Sequence, residues 1–252
     1  NPRKSHVISN GAILYNTVSG ETSEFYEVLN WKNEVPNFSI PAETISVHGI
    51  SEEIMQKEGI DPLQSFSNFY NFIDSFIQKS IENGESNKLD VCVAFNLPFD
   101  LNMYKSNLLY LNKKYCNNLM LANENTSNIV KLLDLFSKDY DEQSNDKPLF
   151  IDSLIIDQIF HFEVDGEKVK HDLDSVGNRY GFESDPNAHN AIADTRRTLN
   201  VFKIQLEEIK EKGLKLDSQF EQRLIKKYNR IQEYYKKKSS LDYLSVNMQP
   251  VV

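Results

Sequence analysis

The chain has 252 residues, with 28 Lys or Arg against 37 Asp or Glu and a formal net charge of −9 at pH 7. This length suits one α/β domain with an extension, and the acidic balance argues against broad non-specific phosphate binding. No apolar run approaches the ~20 residues that a membrane span requires. The two cysteines, Cys92 and Cys116, exclude a disulfide scaffold or a cysteine zinc cluster and indicate a reduced, cytoplasmic protein.

The first half of the chain alternates between predicted strands and helices. In chain order, the patterns predict a strand over 7–15, a strand over 24–29, a loop over 33–42, a short helix capped by Ser51 and a long helix that begins at Asp61-Pro62. The apolar run over 89–95 is typical of a buried parallel strand. Residues 99–115 are predicted to be helical.

The second half begins with a polar segment, 117–147, predicted to be an insertion with one helical piece near 129–136. After it, the patterns predict a strand over 149–154, a hairpin over 160–169 with Asp165-Gly166 as its turn, a short helix over 173–180, and a loop followed by a helix over 189–211. Residues 218–238 are predicted to form an amphipathic helix whose apolar face is Phe220, Leu224, Tyr228, Ile231 and Tyr235. Strands that alternate with helices imply a mixed α/β sheet.

Three short motifs stand out in this pattern: Ser46-Val47-His48-Gly49-Ile50-Ser51, then Asn96-Leu97-Pro98-Phe99-Asp100, then His189 five residues before Asp194. In this order and spacing they resemble the motifs of the DnaQ-like (DEDDh) 3′→5′ exonucleases, over about residues 1–206. The resemblance implies a ribonuclease-H-like fold, a mixed sheet flanked by helices, for residues 1–207. Residues 208–252 would then be a C-terminal basic helix and tail.

The resemblance also implies a site with two Mg²⁺ or Mn²⁺ ions. Asp100 and Asp194 would be metal ligands, and His189 would be the general base. His48 and Gly49 would lie beside the 3′ end of the nucleic acid, and Asn96 and Phe99 would contact the sugar-phosphate and the base. Asp152, where the family commonly has Asp-Thr-Leu, is interpreted as a supporting residue rather than a ligand.

The chemistry of these residues agrees with such a site. Phosphodiester hydrolysis by two metals requires carboxylates that hold the ions ~4 Å apart, and Mg²⁺ prefers oxygen ligands. Asp100 follows an apolar strand, and ligands gather outside the carboxyl ends of strands in open α/β sheets. His189 can converge with Asp194 only if it precedes the helix, because five helical residues would separate the two by ~140°.

Each residue also has a simpler explanation. Asp100 would merely cap its helix, and Asp194 would be a solvated helix acid paired with Arg197 or Thr198. His48-Gly49 would be a plain loop before a helix. The basic segment 221–240, with seven Lys or Arg and two Glu, would pack one face on the core and leave the other in solvent.

The family's first motif, Asp-x-Glu on the first strand, is not in this sequence. Residues 8–12 match the strand that follows it in the family. We therefore expect a central strand that carries Asp-x-Glu to precede Asn1. If the chain begins at Asn1, the site lacks two carboxylates, and a non-catalytic module becomes the better interpretation.

The leading hypothesis is a metal-dependent 3′→5′ exonuclease that acts on DNA or RNA 3′ ends and releases nucleoside 5′-monophosphates. A polymerase or another protein partner would dock on the C-terminal helix, and no membrane partner is expected. The alternatives are a non-catalytic exonuclease-fold module that binds nucleic acid or protein, and a structural component that assembles through the C-terminal helix.

Overall fold

A computed structural model describes residues 5–116, 123–136, 147–161, 163–164, 167–183, 190–217, 219–220, 222–223 and 226. The strands are β1 (Ser9–Tyr15), β2 (Thr22–Val28), β3 (Val91–Ala94), β4 (Leu149–Asp152), β5 (Glu163–Val164) and β6 (Glu167–Lys168). The helices are α1 (Ala42–His48), α2 (Glu52–Glu58), α3 (Pro62–Glu82), α4 (Leu97–Leu111), α5 (Glu124–Leu135), α6 (Ser153–Phe160), α7 (Leu173–Arg179) and α8 (Ala191–Glu211). A π-helix, Asn112–Cys116, follows α4 directly.

The mixed α/β class predicted from the sequence is confirmed, but the strands are distributed over separate small sheets. β1 and β2 form an antiparallel hairpin, and β5 and β6 form another. β3 and β4 are parallel, with Ala94 opposite Asp152. Within the described ranges, β1 and β3 share no ladder, so the predicted single mixed sheet is not formed there. The strand expected before Asn1 stays a prediction.

Side-chain caps set the starts of several helices where the sequence predicted them. The Asp61 carboxylate accepts the backbone N–H of Gln64, and Pro62 occupies the first turn of α3. The Ser51 hydroxyl accepts the N–H of Ile54 at the start of α2. Helices α2 and α3 follow the β1–β2 hairpin in the chain, and these caps fix the residues at which they begin.

Three apolar clusters hold the described elements together, and the smallest, Val28, Ile40, Ile50 and Met55, joins the end of β2 to α2. The largest lies between the β1–β2 hairpin and the helices α3, α4 and α5; its fully buried members include Leu29, Trp31, Phe66, Leu108, Leu111, Ile129 and Leu132. The second joins β4, α6 and α8 through Ile151, Ile156, Phe202, Ile209 and Phe220. Phe220 is thus buried as its place in the predicted C-terminal apolar face requires; the other four members of that face lie outside the described residues.

Three parts of the chain differ from the sequence-based prediction. The end of the predicted loop over 33–42 and the residues after it form α1, which ends at His48. The helix predicted over 99–115 begins two residues earlier and ends as the π-helix. The strand predicted over 149–154 ends at Asp152, because the Asp152 carboxylate caps α6 from Ser153 onward. The described helices include none that is long and apolar enough to cross a membrane.

Candidate active site

The candidate site lies where β3 and β4 end side by side. The two strands are parallel and in register at their last residues, Ala94 and Asp152, so the segments that follow them leave the same edge. After β3 the chain passes through Asn96 into α4, which carries Asp100 in its first turn. Polar side chains lie together at this edge because both strands end there, as the order of the residues along the chain predicted.

Asp152 fixes the turn between β3 and α4. Its side chain is buried, and its Oδ1 accepts the backbone N–H groups of Asn96 and Leu154, both at 3.0 Å. Burial raises the pKa of the Asp152 carboxyl, and these N–H donors act in the opposite direction. The interpretation of Asp152 as a supporting residue agrees with these contacts.

Asn96 adopts an unusual backbone conformation at this turn. Its φ of 64° and ψ of 51° lie in the left-handed region, which few residues other than glycine occupy. The conformation turns the Asn96 N–H toward Asp152 and leaves the Asn96 side chain exposed. Phe99, in the following turn, is 51% exposed, a large fraction for an aromatic side chain. Both residues are therefore accessible beside Asp100.

Asp100 is the most perturbed carboxyl at this edge. Burial, followed by the neighbouring Asp152 charge, raises the pKa of Asp100 to about 7. Burial also raises the pKa of the Cys92 thiol to about 12, with a further contribution from Asp100. Within the described part of the chain, no lysine, arginine or histidine forms an ion pair with Asp100 or Asp152. In the part of the chain that the structure describes, Asp100 thus has no cationic partner to offset its charge.

Tyr104 and Asn10 connect this edge to the β1–β2 hairpin. Tyr104 lies one turn after Asp100 on α4, and its hydroxyl donates a hydrogen bond to the Asn10 side-chain oxygen. Asn10 is 1% exposed and lies on β1. Burial, together with Asp100 and Cys92, raises the pKa of Tyr104. The bond joins α4, which follows β3, to β1.

The start of α8 packs on the next residue of β1. A Cβ added to Gly11 would lie 2.6 Å from the backbone carbon of Ala191, so only glycine permits this approach. The Thr195 hydroxyl donates to the Gly11 carbonyl at 3.2 Å and to the Ala191 carbonyl at 2.7 Å. Asp194 lies in this first turn of α8. The helices that carry Asp194 and Asp100 are therefore both in contact with β1, α8 at Gly11 and α4 at Asn10.

His48 is the last residue of α1 rather than part of a loop. Its Nδ1 accepts the backbone N–H of Ile50 at 3.0 Å, so the neutral ring carries its proton on Nε2. Burial lowers the pKa of His48. Among the described residues, nothing accepts a hydrogen bond from the buried Nε2. Gly49 ends the helix with a φ of 73° and has open space where a Cβ would be.

The structure brings together only part of the predicted site. Asp100 and Asp152 interact, and Asn96 and Phe99 flank them. His189 lies outside the described residues. In the ranges the structure covers, no group of three or more His, Cys, Asp or Glu side chains is arranged to hold a metal ion. The Arg197 guanidinium, one of the two partners suggested for Asp194, contacts α7 and the turn after it.

Sequence reasoning missed Asn10 and Tyr104. A polar residue inside the apolar strand 7–15 was the available signal for Asn10. Tyr104 follows Asp100 by four residues, the spacing that places two side chains on one face of a helix. Their contact joins residues 94 apart in the sequence, which no local pattern indicates.

Asp100 offers a carboxylate oxygen to a divalent cation. Burial and then the neighbouring Asp152 charge raise its pKa, and a bound cation would favour its ionised form. Oxygen ligands of this kind suit Mg²⁺ and Mn²⁺.

No known protein-family model matches the chain, and no characterised protein is significantly similar to it in sequence.

Proposed function

We propose that the protein is a metal-dependent 3′→5′ exonuclease of ribonuclease-H-like fold that hydrolyses DNA or RNA from the 3′ end to nucleoside 5′-monophosphates. The observation that carries this proposal is Asp100, a carboxyl in the first turn of α4 whose pKa is raised by burial and by Asp152. Perturbed acids of this kind cluster at functional sites. The reaction class, 3′→5′ hydrolysis of phosphodiester bonds, comes from the resemblance of the three sequence motifs to those of the DnaQ-like exonucleases.

The residues have distinct roles in this proposal. Asp100 and Asp194 would hold Mg²⁺ or Mn²⁺, which when bound stabilises the negative charge that develops on the scissile phosphate. His189 would accept the proton of the attacking water, for which a histidine has a suitable pKa range. The bond between phosphorus and the 3′ oxygen breaks as the water oxygen attaches to phosphorus.

The remaining residues would hold the substrate. The exposed ring of Phe99 offers a surface on which a terminal base can stack. Next to His48, Gly49 has open space where a Cβ would be, which would let a terminal nucleotide approach the backbone there. The exposed side chain of Asn96 would contact the sugar-phosphate. These contacts favour a single-stranded end whose last base is free to leave its stack.

The experiment is digestion of 5′-labelled single-stranded DNA and RNA by the full-length protein with Mg²⁺ or Mn²⁺. We expect a ladder that shortens from the 3′ end, release of nucleoside 5′-monophosphates, and protection by a 3′-terminal block. Asp194→Asn removes the activity, whereas Glu207→Gln, a substitution at a side chain 66% exposed on the same helix, retains it. Cleavage that ignores the 3′ block would contradict the proposed polarity.

A non-catalytic nucleic-acid-binding module is the second candidate. It is favoured by the lack of a three-ligand group within the described residues. It predicts binding of single strands that survives Asp100→Asn and Asp194→Asn, with no metal-dependent shortening of the strand. The same digestion, run beside a binding titration, separates the two functions.

A further inference from the structure

Asn10 is a polar side chain in a place that suits an apolar one. It is 1% exposed and is the one buried residue of β1, and Ala12 and Leu14, on the same face of the strand, pack against the largest apolar cluster. Its Oδ1 accepts a hydrogen bond from the Tyr104 hydroxyl, whereas nothing among the described residues accepts one from its buried Nδ2. A buried amide that is only half satisfied costs stability, so core stability alone does not explain Asn10.

Tyr104, the partner of Asn10, has a closely packed ring. The ring meets Phe66, Phe69 and Phe136 in edge-to-face contacts, with centroids 5.7, 5.8 and 5.4 Å away. Aromatic pairs favour this arrangement, and together the three contacts restrict the ring and therefore the direction of its hydroxyl. The bond to Asn10 thus holds this turn of α4 at a defined place on β1.

Asp100 lies between two attachments of the chain around it. Four residues before it, the backbone N–H of Asn96 donates to the buried Asp152 carboxylate at 3.0 Å. Four residues after it, Tyr104 bonds to Asn10, and side chains four apart lie on the same face of a helix. The turn that carries Asp100 is therefore attached to β4 on one side and to β1 on the other.

β1 also contacts the helix that carries the second predicted metal ligand. The Thr195 hydroxyl donates to the Gly11 carbonyl at 3.2 Å, and a Cβ at Gly11 would lie 2.6 Å from the backbone carbon of Ala191. Asp194 precedes Thr195 in this first turn of α8. Successive residues of a strand point to opposite faces. Two consecutive residues of β1 thus contact the two helices that carry Asp100 and Asp194.

We infer that Asn10 is a positioning residue for Asp100, because through Tyr104 it holds the turn that carries this carboxyl at a fixed place on β1, the strand on which the helix of Asp194 also packs. Groups that orient metal ligands without touching the ion commonly affect metal affinity or activity by roughly 10- to 100-fold. This inference rests on the proposed exonuclease function, in which Asp100 and Asp194 bind the metal.

A purely structural role for the bond makes a different prediction. Asn10→Leu leaves the Tyr104 hydroxyl without its acceptor, and Tyr104→Phe leaves the Asn10 amide without its donor, so each single variant should be less stable than the wild type. The double variant replaces both partners by apolar groups of similar shape, which can be nearly neutral for stability. If the bond only stabilises the core, the double variant should therefore bind metal and turn over as the wild type does. If Asn10 positions Asp100, the functional defect remains after stability is regained.

The test compares the full-length wild type, both single variants, the double variant and the control Tyr110→Phe. Tyr110 lies on the same helix, and its hydroxyl donates to the Glu34 backbone carbonyl at 2.7 Å, so the control removes a tyrosine hydrogen bond of α4 that does not involve β1. Each protein is titrated with Mn²⁺ alone, with the free ion measured by electron paramagnetic resonance. Both kcat and KM are measured on a labelled single strand, at a temperature below every unfolding transition.

We expect the double variant to melt within about 5 °C of the wild type, to bind Mn²⁺ roughly 10- to 100-fold more weakly and to have a lower kcat with KM within about twofold. Tyr110→Phe should bind Mn²⁺ as the wild type does. A folded double variant with wild-type Mn²⁺ affinity and wild-type kcat would overturn the inference, as would a wild type that binds no Mn²⁺. If the wild type binds Mn²⁺ but degrades no nucleic acid, the proposed function fails, and the Mn²⁺ affinities alone still decide the role of Asn10.

Discussion

Asp157 is a fully buried carboxyl and Asp100 is a partly buried one, and their surroundings differ. Asp157, on α6, is 0% exposed, and its Oδ2 accepts from His171 Nδ1 at 2.6 Å and from Arg179 Nη2 at 2.5 Å. Asp100 has another carboxyl as its main charged neighbour, and its pKa rises to about 7. Among the described residues, His171 and Arg179 contact Asp157, and no cation pairs with Asp100. A buried acid with cationic partners stabilises the fold, whereas one without them is available for a bound cation.

The largest expected effect on stability comes from removing the charge of Asp157. Asp157→Asn leaves the partly buried Arg179 guanidinium without its carboxylate, and breaking a buried pair from one side costs at most about 3–5 kcal/mol. Urea denaturation at pH 7 should show this loss, while the fraction that remains folded keeps its exonuclease rate. If Asp157→Asn is as stable as the wild type, the ion pairs of Asp157 do not stabilise the fold, and the proposed difference between Asp157 and Asp100 is wrong.

The contribution of Asp100 to the free energy of unfolding should fall as the pH rises, whereas that of an ion-paired acid rises with pH. Its pKa is raised from 3.8 to about 7 on folding, so the folded state retains a proton that the unfolded state releases. The stabilisation is complete below pH 4 and is lost as the pH rises through 7, by at most about 4 kcal/mol. The difference in unfolding free energy between Asp100→Asn and wild type should therefore grow in favour of the variant from pH 4 to pH 7.

A control substitution identifies the source of that difference. Asp90→Asn removes a carboxylate that is exposed just before β3 and should show no such trend. If both variants follow the same pH profile, the effect arises from net charge and not from the burial of Asp100.

Gly11→Ala tests how the two sides of the site are joined. The new methyl group would press against the Ala191 backbone, shift the start of α8 and move Asp194. We expect a loss of about 1–3 kcal/mol and a lower exonuclease rate. Ala12→Gly, on the opposite face of β1, should cost a similar amount of stability and keep the rate. Equal rates for the two variants would show that this contact does not position Asp194.

The smallest stability effect is expected at Asn96. Asn96→Gly retains the left-handed backbone, so stability should change by less than about 1 kcal/mol. If the amide contacts the substrate, KM rises several-fold. Asn96→Ala strains the same backbone by roughly 1–2 kcal/mol, and thermal unfolding of the pair separates the two contributions. A KM unchanged by both substitutions would exclude Asn96 from substrate binding.

The sequence predicted the elements best where a local signal marks their ends. Asp61-Pro62 identified the start of α3, and the apolar run over 89–95 identified β3. The helix α1 was missed because the prolines before it favour a loop. The start of α6 was missed because Asp152 both ends a strand and caps a helix, two roles that a single residue pattern does not separate.

The candidate site was predicted only in part, for a similar reason. The place of Asp100 after an apolar strand follows from local order along the chain. Its charge interaction with Asp152 depends on the parallel register of β3 and β4, which pairs Ala94 with a residue 58 positions away. The bond between Tyr104 and Asn10 likewise depends on tertiary packing. Local patterns identify such residues but not their partners.

The most direct test of the central claim is the initial rate of shortening of a 5′-labelled single strand by the full-length protein with Mg²⁺ or Mn²⁺. Wild type, Asp100→Asn and Asp157→Asn are compared at a temperature where all three are folded. The account predicts shortening from the 3′ end by the wild type and Asp157→Asn, and a rate at least about 10³-fold lower for Asp100→Asn. Equal rates for Asp100→Asn and wild type, or no shortening by any of them, would contradict it.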